Sequence, residues 1–365
     1  MTGVIVHEWM ESVGGGERVV DALAEAFPGA PIVVPWDDVP DRYGAGRVSE
    51  SWLAKTPLRR HKAASMPFLL EWWRRLPAVA DADWLLCCTH LFAHHARMRR
   101  PERDVPKFVY TYSPARYIWE PEIDQRGDGA LARAIAAPLR SIDRRRAQEP
   151  VKIAANSRFI AARVERCWDR ESTVIYPPVD LSVFPGGDEE LTPSELAVLD
   201  ALPAGFLLGA SRFVPYKRLD LAIAAGVAAD LPVVIAGDGP ERERLAALAA
   251  EHPGRVTFVP RPSNALLRAL YRRAAVFFFA PIEDFGIMPV EAMAAGTPVV
   301  GNAIGGAAET VLDGVTGSLF ASTDPAELRR AVETALQADA DACRRRAQVF
   351  DGSTFGARIS DWMGV

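Results

Sequence analysis

Short, continuously apolar runs alternate along this chain with longer stretches whose apolar positions recur at helical spacing. The first series of runs is Val4–Val6, Ile32–Val34, Trp84–Cys88, Phe108–Thr111, Lys152–Ala155 and Thr173–Tyr176. A second series follows: Phe206–Ala210, Val233–Gly237, Val256–Val259, Val276–Ala280, Val299–Gly301 and Gly317–Phe320. Glu17–Phe27, Arg218–Ala229, Glu241–Glu251 and Asn264–Arg273 carry the helical pattern. Strands without polar alternation are covered on both faces, and their alternation with helices predicts parallel, doubly wound α/β sheets. The Pro177-Pro178 pair stops a strand, so the two series join near Pro177–Gly187. The expected domains are 1–180 and 188–349, with 350–365 forming a final helix around Gly352–Met363.

Composition narrows the class. The chain has 365 residues, 49% hydrophobic and 24% charged, with a net charge of −5, which excludes a disordered chain. No apolar run approaches the ~20 residues needed to span a bilayer, and the first residues lack the pattern of a secretory signal. Cys87, Cys88, Cys167 and Cys343 show no metal-ligand spacing, and a reduced, cytoplasmic chain is expected. Charge is uneven. Residues 1–180 hold 26 Lys/Arg against 24 Asp/Glu, residues 181–365 hold 16 against 23, and residues 51–116 hold 12 against 5. Within that basic segment, 52–77 mixes Trp52, Phe68, Trp72 and Trp73 with Lys55, Arg59, Arg60, Lys62, Arg74 and Arg75. Such a mixture suits a membrane interface, peripheral at the inner face of the cytoplasmic membrane, or a helix pair that buries its tryptophans. Nucleic acid is not an expected partner of an acidic chain without a recognition motif.

Three segments carry candidate chemistry. In Glu283-Asp284-Phe285-Gly286-Ile287-Met288-Pro289-Val290-Glu291, an apolar strand leads through a loop into a helix whose first turn tolerates Pro289. Phe285, Gly286 and Ile287 then offer free amides at a helix N-terminus, an anion site. Glu283 lies at the carboxyl end of a strand, where open sheets bind ligands, and Glu291 is expected in the first helical turn. Arg212 and Lys217 flank a turn after another strand and could hold a diphosphate as leaving group. Gly14-Gly15-Gly16, after the first strand, could let backbone approach a phosphate, although the run is not a GxGxxG motif. No metal site is expected. Asp81 and Asp83 precede a strand, Asp339 and Asp341 lie in a late helix, and cations plus a helix end replace a divalent ion. His94 and His95 read as helix surface.

Taken together, Glu283-x7-Glu291, Ser-Arg-x-x-x-x-Lys at 211–217, Gly237-Asp238-Gly239-Pro240 and the glycines at 14–16 resemble glycosyltransferase family 4, whose members have the GT-B fold. ANSRFIA at 155–161, STVIYPPVD at 172–180 and the segment 283–300 look most like its bacterial mannosyltransferase branch. The resemblance implies two Rossmann-like domains across a cleft, acceptor in the first and nucleotide sugar in the second, with the final helix crossing back. It implies a retaining hexosyl transfer to a glycan or lipid-linked acceptor, from GDP-mannose or else a UDP-sugar, with no cofactor and no metal. Glu283 would bond the donor sugar and Glu291 the ribose. Arg212, Lys217 and the Phe285–Ile287 backbone would hold the diphosphate, which Gly15 and Gly16 would face. Arg261 would lie near the base. Tyr112 stands where the branch usually has histidine, so that histidine's role near the donor is open here, and His90 could compensate. Ser113 and Arg116 are further acceptor-side candidates. A nucleotide-sugar 2-epimerase and a non-catalytic sugar-nucleotide-binding subunit are the rival readings.

Overall fold

The computed structural model describes residues 2–12, 14–77, 79, 81–98, 105–121 and 130–365, with side chains from 136 in that last span. Val13 of the glycine turn and residues 78, 80 and 99–104 of the basic segment lie outside the described residues. The chain divides into two compact units, Met1–Pro178 with Ser353–Val365, and Val179–Gly352.

Unit 1 holds a parallel sheet of β1 (Thr2–His7), β2 (Ile32–Val34), β3 (Val48–Glu50), β4 (Ala82–Thr89), β5 (Lys107–Thr111), β6 (Lys152–Ala155) and β7 (Thr173–Val174). Its order is β3-β2-β1-β4-β5-β6-β7. The side-chain period of two sends Val4, Val6, Leu85, Cys87, Val109 and Ile153 into one buried cluster, and Ile5, Leu86, Cys88, Phe108, Tyr110 and Ala154 into another. That is why these strands read as unbroken apolar runs. The helix Phe355–Met363 belongs to the second cluster, burying Phe355, Ile359 and Met363. Burial of each such side chain stabilises by about 1.5–3 kcal/mol.

Unit 2 repeats the plan with β8 (Leu207–Ala210), β9 (Val233–Ala236), β10 (Val256–Val259), β11 (Val276–Phe279), β12 (Val299–Asn302) and β13 (Gly317–Phe320). Its order is β10-β9-β8-β11-β12-β13, all parallel.

Two elements differ from expectation. Strand β3 has no apolar run: it is a three-residue edge strand with Val48 half-buried and Ser49 and Glu50 exposed. Strand β7 stops at Val174 rather than Tyr176, where the approach of two prolines removes ladder donors. The tryptophans of the basic segment divide: Trp73 is buried in the unit 1 core, Trp72 packs partly against it, and Trp52 and Phe68 stay exposed with rings 5.8 Å apart.

Candidate active site

In unit 2 the chain builds outward from β8 to β10, then returns to β11 and builds the other way. The order reverses between β8 and β11, and at such a reversal the flanking loops diverge and leave a crevice at the carboxyl ends of the strands. The loops leaving β8 and β11 there are the two that carry the charged motifs. Lys217 Nζ donates to Glu283 Oε1, and the two side chains keep 11% and 24% exposure, so the pair is sheltered yet reachable. Arg212 is exposed, with Nη2 at 3.5 Å from the Tyr216 hydroxyl, and Lys217 Nζ sits 5.1 Å from the Tyr216 ring centre. The β8 loop thus gathers Arg212, Tyr216 and Lys217, and Lys217 meets the carboxylate of the next loop.

The β11 loop turns into the helix Ile287–Ala294 through Gly286, whose φ of 84° lies in the left-handed region that glycine adopts without cost. No side chain caps this helix at its N-terminus. Phe285 anchors the turn against Phe350, with ring centres 5.5 Å apart. Glu291 is the fifth residue of the helix rather than part of its first turn, because the helix starts only at Ile287. Its Oε2 lies 3.5 Å from the buried Tyr271 hydroxyl. Arg261, after β10, is 83% exposed with Nε at 3.3 Å from Asp238 Oδ2.

Two supports escaped the sequence reading. The Gly306 amide donates to the Glu283 carbonyl at 2.7 Å, and a Cβ on Gly306 would stand 2.1 Å from the Phe285 carbonyl oxygen. The paired glycine after β12 is the signal that could have found this clamp. The Arg212 loop is held from its other side, where the Ser211 and Phe213 amides donate to the Ala236 and Asp238 carbonyls at 3.0 and 2.9 Å.

Unit 1 reverses between β1 and β4, and a different cluster fills that place. Glu8, absent from the candidates, follows β1 with 2% exposure. Its Oε1 accepts from the Thr89 hydroxyl (2.8 Å) and the Leu91 and Ala93 amides (2.9 and 3.0 Å), and its Oε2 from the His90 amide (3.2 Å). These donors and the nearby histidines hold its carboxyl below the usual range against the opposing effect of burial. The signal was an acid placed directly after an apolar strand. His90 keeps 39% side-chain exposure, with Nδ1 at 3.5 Å from Glu8 Oε2. Burial drives His7 down to about 4, so it is neutral.

Tyr112 joins this cluster by donating to the Gly16 carbonyl at 3.0 Å, and burial keeps its phenol protonated. Gly15 and Gly16 open the helix Gly15–Ala26, and a Cβ on Gly16 would lie 3.3 Å from His7. Ser113 is buried and accepts from Arg163 Nη1 at 2.7 Å, an internal contact. Arg116 is half-buried at the start of the short helix Arg116–Trp119.

His94 and His95 are not helix surface. They are 0% and 2% exposed, and each brings Nε2 within 3.0 Å of Asp143 Oδ1. The indoles of Trp119 and Trp168 donate to Asp143 Oδ2, both at 2.7 Å. A buried carboxylate surrounded by four such groups explains why two adjacent polar rings turn inward. Among the described residues these three are also the one His/Asp group with metal-ligand proximity. Asp83 instead accepts from the Thr2 amide, and Asp339 caps the helix Ala340–Gln348.

Two family models match the chain: Glycosyltransferase Family 4 over residues 13–183 and Glycosyl transferases group 1 over residues 203–349. The D-inositol 3-phosphate glycosyltransferase of Mycobacterium sp. (strain JLS) is 35% identical over 192 residues, covering 50% of this chain and 43% of the relative. That of Mycobacterium avium (strain 104) is 37% identical over 197 residues, covering 50% and 45%. The chain thus spans less than half the length of these curated relatives. Among solved structures, sucrose-phosphate synthase from Thermosynechococcus elongatus superposes with a TM-score of 0.73 at 19% identity, covering 100% of this chain and 98% of that one. HepE of Anabaena in complex with UDP-glucose gives 0.68 at 18%, covering 100% and 99%. With one glycosyltransferase model on each half and the same two-sheet architecture throughout, the chain belongs to the GT-B glycosyltransferases.

Proposed function

We propose that the protein transfers a hexose from a nucleotide sugar to a hydroxyl of a glycan or lipid-linked acceptor, with retention and with GDP-mannose as donor. The observation that carries this reading is the Lys217–Glu283 pair at the β8/β11 reversal, next to the uncapped helix start at Gly286. In the free protein Lys217 is engaged by Glu283. A diphosphate offers the cation a doubly charged partner, and Arg212 and the Phe285–Ile287 amides add donors to it. Glu283 is then released toward the sugar hydroxyls and Glu291 toward the ribose, while Arg261 meets the base.

The chemistry follows from those partners. The sugar C1–O bond breaks with its electron pair on the leaving phosphate, which the cations stabilise. The acceptor oxygen attacks C1 from the same face, and its proton passes to the departing phosphate oxygen. No protein nucleophile and no metal enter. Unit 1 takes the acceptor. Exposed Trp52 and Phe68 beside Lys55, Arg60 and Lys62 contact an anionic membrane surface that presents a lipid-linked acceptor. GDP-mannose rests on the likeness of segments 155–161, 172–180 and 283–300 to the mannosyltransferase branch. UDP-glucose is the second reading, favoured by HepE, which was solved with it.

The full chain is incubated with radiolabelled GDP-mannose or UDP-glucose, with and without a bacterial lipid extract. Label entering the extract from GDP-mannose is the expected result, and label from UDP-glucose alone overturns the donor assignment. Conversion to a second nucleotide sugar without extract makes the protein an epimerase. Binding without turnover makes it a carrier subunit, and neither binding nor turnover overturns the reading.

A further inference from the structure

The β1/β4 reversal in unit 1 carries an arrangement that the donor chemistry does not use. Glu8 is buried and ionised, and its contacts to Thr89, Leu91, Ala93 and the His90 amide come from the β4 loop that also carries the His90 ring. Carboxylate and imidazole are thereby built on one rigid frame. The His90 ring is bounded by Trp9 and Tyr112, with ring centres at 5.4 and 6.3 Å, yet it remains part-exposed at the ligand-binding end of the sheet. Its Nδ1 faces Glu8 Oε2. A carboxylate at that nitrogen keeps the proton there and leaves Nε2 as a bare acceptor.

We propose that His90 Nε2 accepts a hydrogen bond from a non-reacting hydroxyl of the acceptor, and that Glu8 is its positioning residue, fixing the Nδ1–H tautomer. The charged surroundings define the ligand class. The groups facing His90 are His7 from β1, Glu8 just after it, Glu17 from the helix Gly15–Ala26, and Tyr112 after β5. Two acids and a neutral phenol disfavour a phosphate at this point and favour an uncharged polyol, such as a sugar ring. The inference rests on the reading that unit 1 takes the acceptor.

The test uses the full chain with the bacterial lipid extract as acceptor. His90→Ala should raise the half-saturating extract concentration by about 10-fold or more, with kcat and donor KM within about 2-fold, the signature of a lost ground-state contact. His90→Gln, which keeps an acceptor atom at the Nε2 position, should recover part of the loss. Glu8→Gln, which no longer fixes the tautomer, should raise the half-saturating extract concentration about 3-fold or more with kcat unchanged. Ring 15N shifts of His90 give a readout that needs neither turnover nor a folded Glu8 variant, with Nδ1–H expected in the neutral wild type. Unchanged extract kinetics in His90→Ala, or an Nε2–H tautomer in the wild type, overturns the proposal. A wild type that consumes no nucleotide sugar instead overturns the functional reading, and the 15N measurement still decides this one.

Discussion

Each sheet reverses its strand order at an equivalent place, β1/β4 in unit 1 and β8/β11 in unit 2, and each sets a glutamate just beyond the reversal. Glu8 receives backbone and hydroxyl donors and is almost wholly enclosed, whereas Glu283 has one lysine and a quarter of its surface open. The same topology thus delivers a carboxylate twice. What surrounds it decides whether it organises the protein or stays ready for a ligand. The contrast predicts that changes at β8/β11 cost turnover, while changes behind β1/β4 cost stability.

The sharpest test is Glu283→Ala. Turnover should fall by about 10³-fold, the scale of losing a preorganised electrostatic partner, with the thermal midpoint moving only a few degrees. Near-normal transfer, or a collapse of stability, breaks the contrast. Gly306→Ala should come next, since its Cβ has no room at the Phe285 carbonyl. A rate loss of about 10²-fold is expected from a displaced Glu283 loop, alongside about 1–3 kcal/mol of stability. Transfer assays and urea denaturation read the two effects separately.

Behind β1/β4, Asp143→Asn should cost about 3 kcal/mol, because an amide turns a donor toward the indole and imidazole groups around it. Acid should act on the same unit. Burial brings both His7 and His95 down to about 4. As pH falls below 6.5 the unfolded chain takes up protons that the native rings refuse until about 4, so stability is lost across that window. The loss should be on the order of 1–3 kcal/mol per histidine. All nine tryptophans lie in unit 1, so urea titrations followed by indole fluorescence at pH 7.5 and 5 isolate its response. The smallest effect is expected for Arg261→Ala. A side chain this exposed should add under about 1 kcal/mol to donor binding through its contact with the base, measured by calorimetric titration.

Much of this was legible in the sequence for a simple reason. Strands such as β10 and β13 and the helix Asn264–Arg273 are set by local apolar periodicity, and their observed bounds match it. Lys217, Glu283 and Gly286 were legible because a strand end, a charged loop and a helix start are all local features. Gly306, Glu8 and Asp143 were not. Each acts on residues distant along the chain: Glu8 is 81 positions from Thr89 and Asp143 is 48 from His95. No periodicity encodes such a meeting. His94 and His95 were misread because burial of a polar ring depends on a partner that spacing does not reveal.

The route of the chain has a last consequence, for how the protein is made. Unit 2 is an insertion whose two ends meet: Val179 pairs with Asp351, and the Gly352 amide donates to the Val179 carbonyl at 2.9 Å. The helix Phe355–Met363 that finishes the unit 1 core therefore leaves the ribosome only after all of unit 2. During synthesis unit 2 can close its sheet while unit 1 still waits for the helix that covers Tyr110 and Ile175, so the first half of the chain to be made is the last to complete its core.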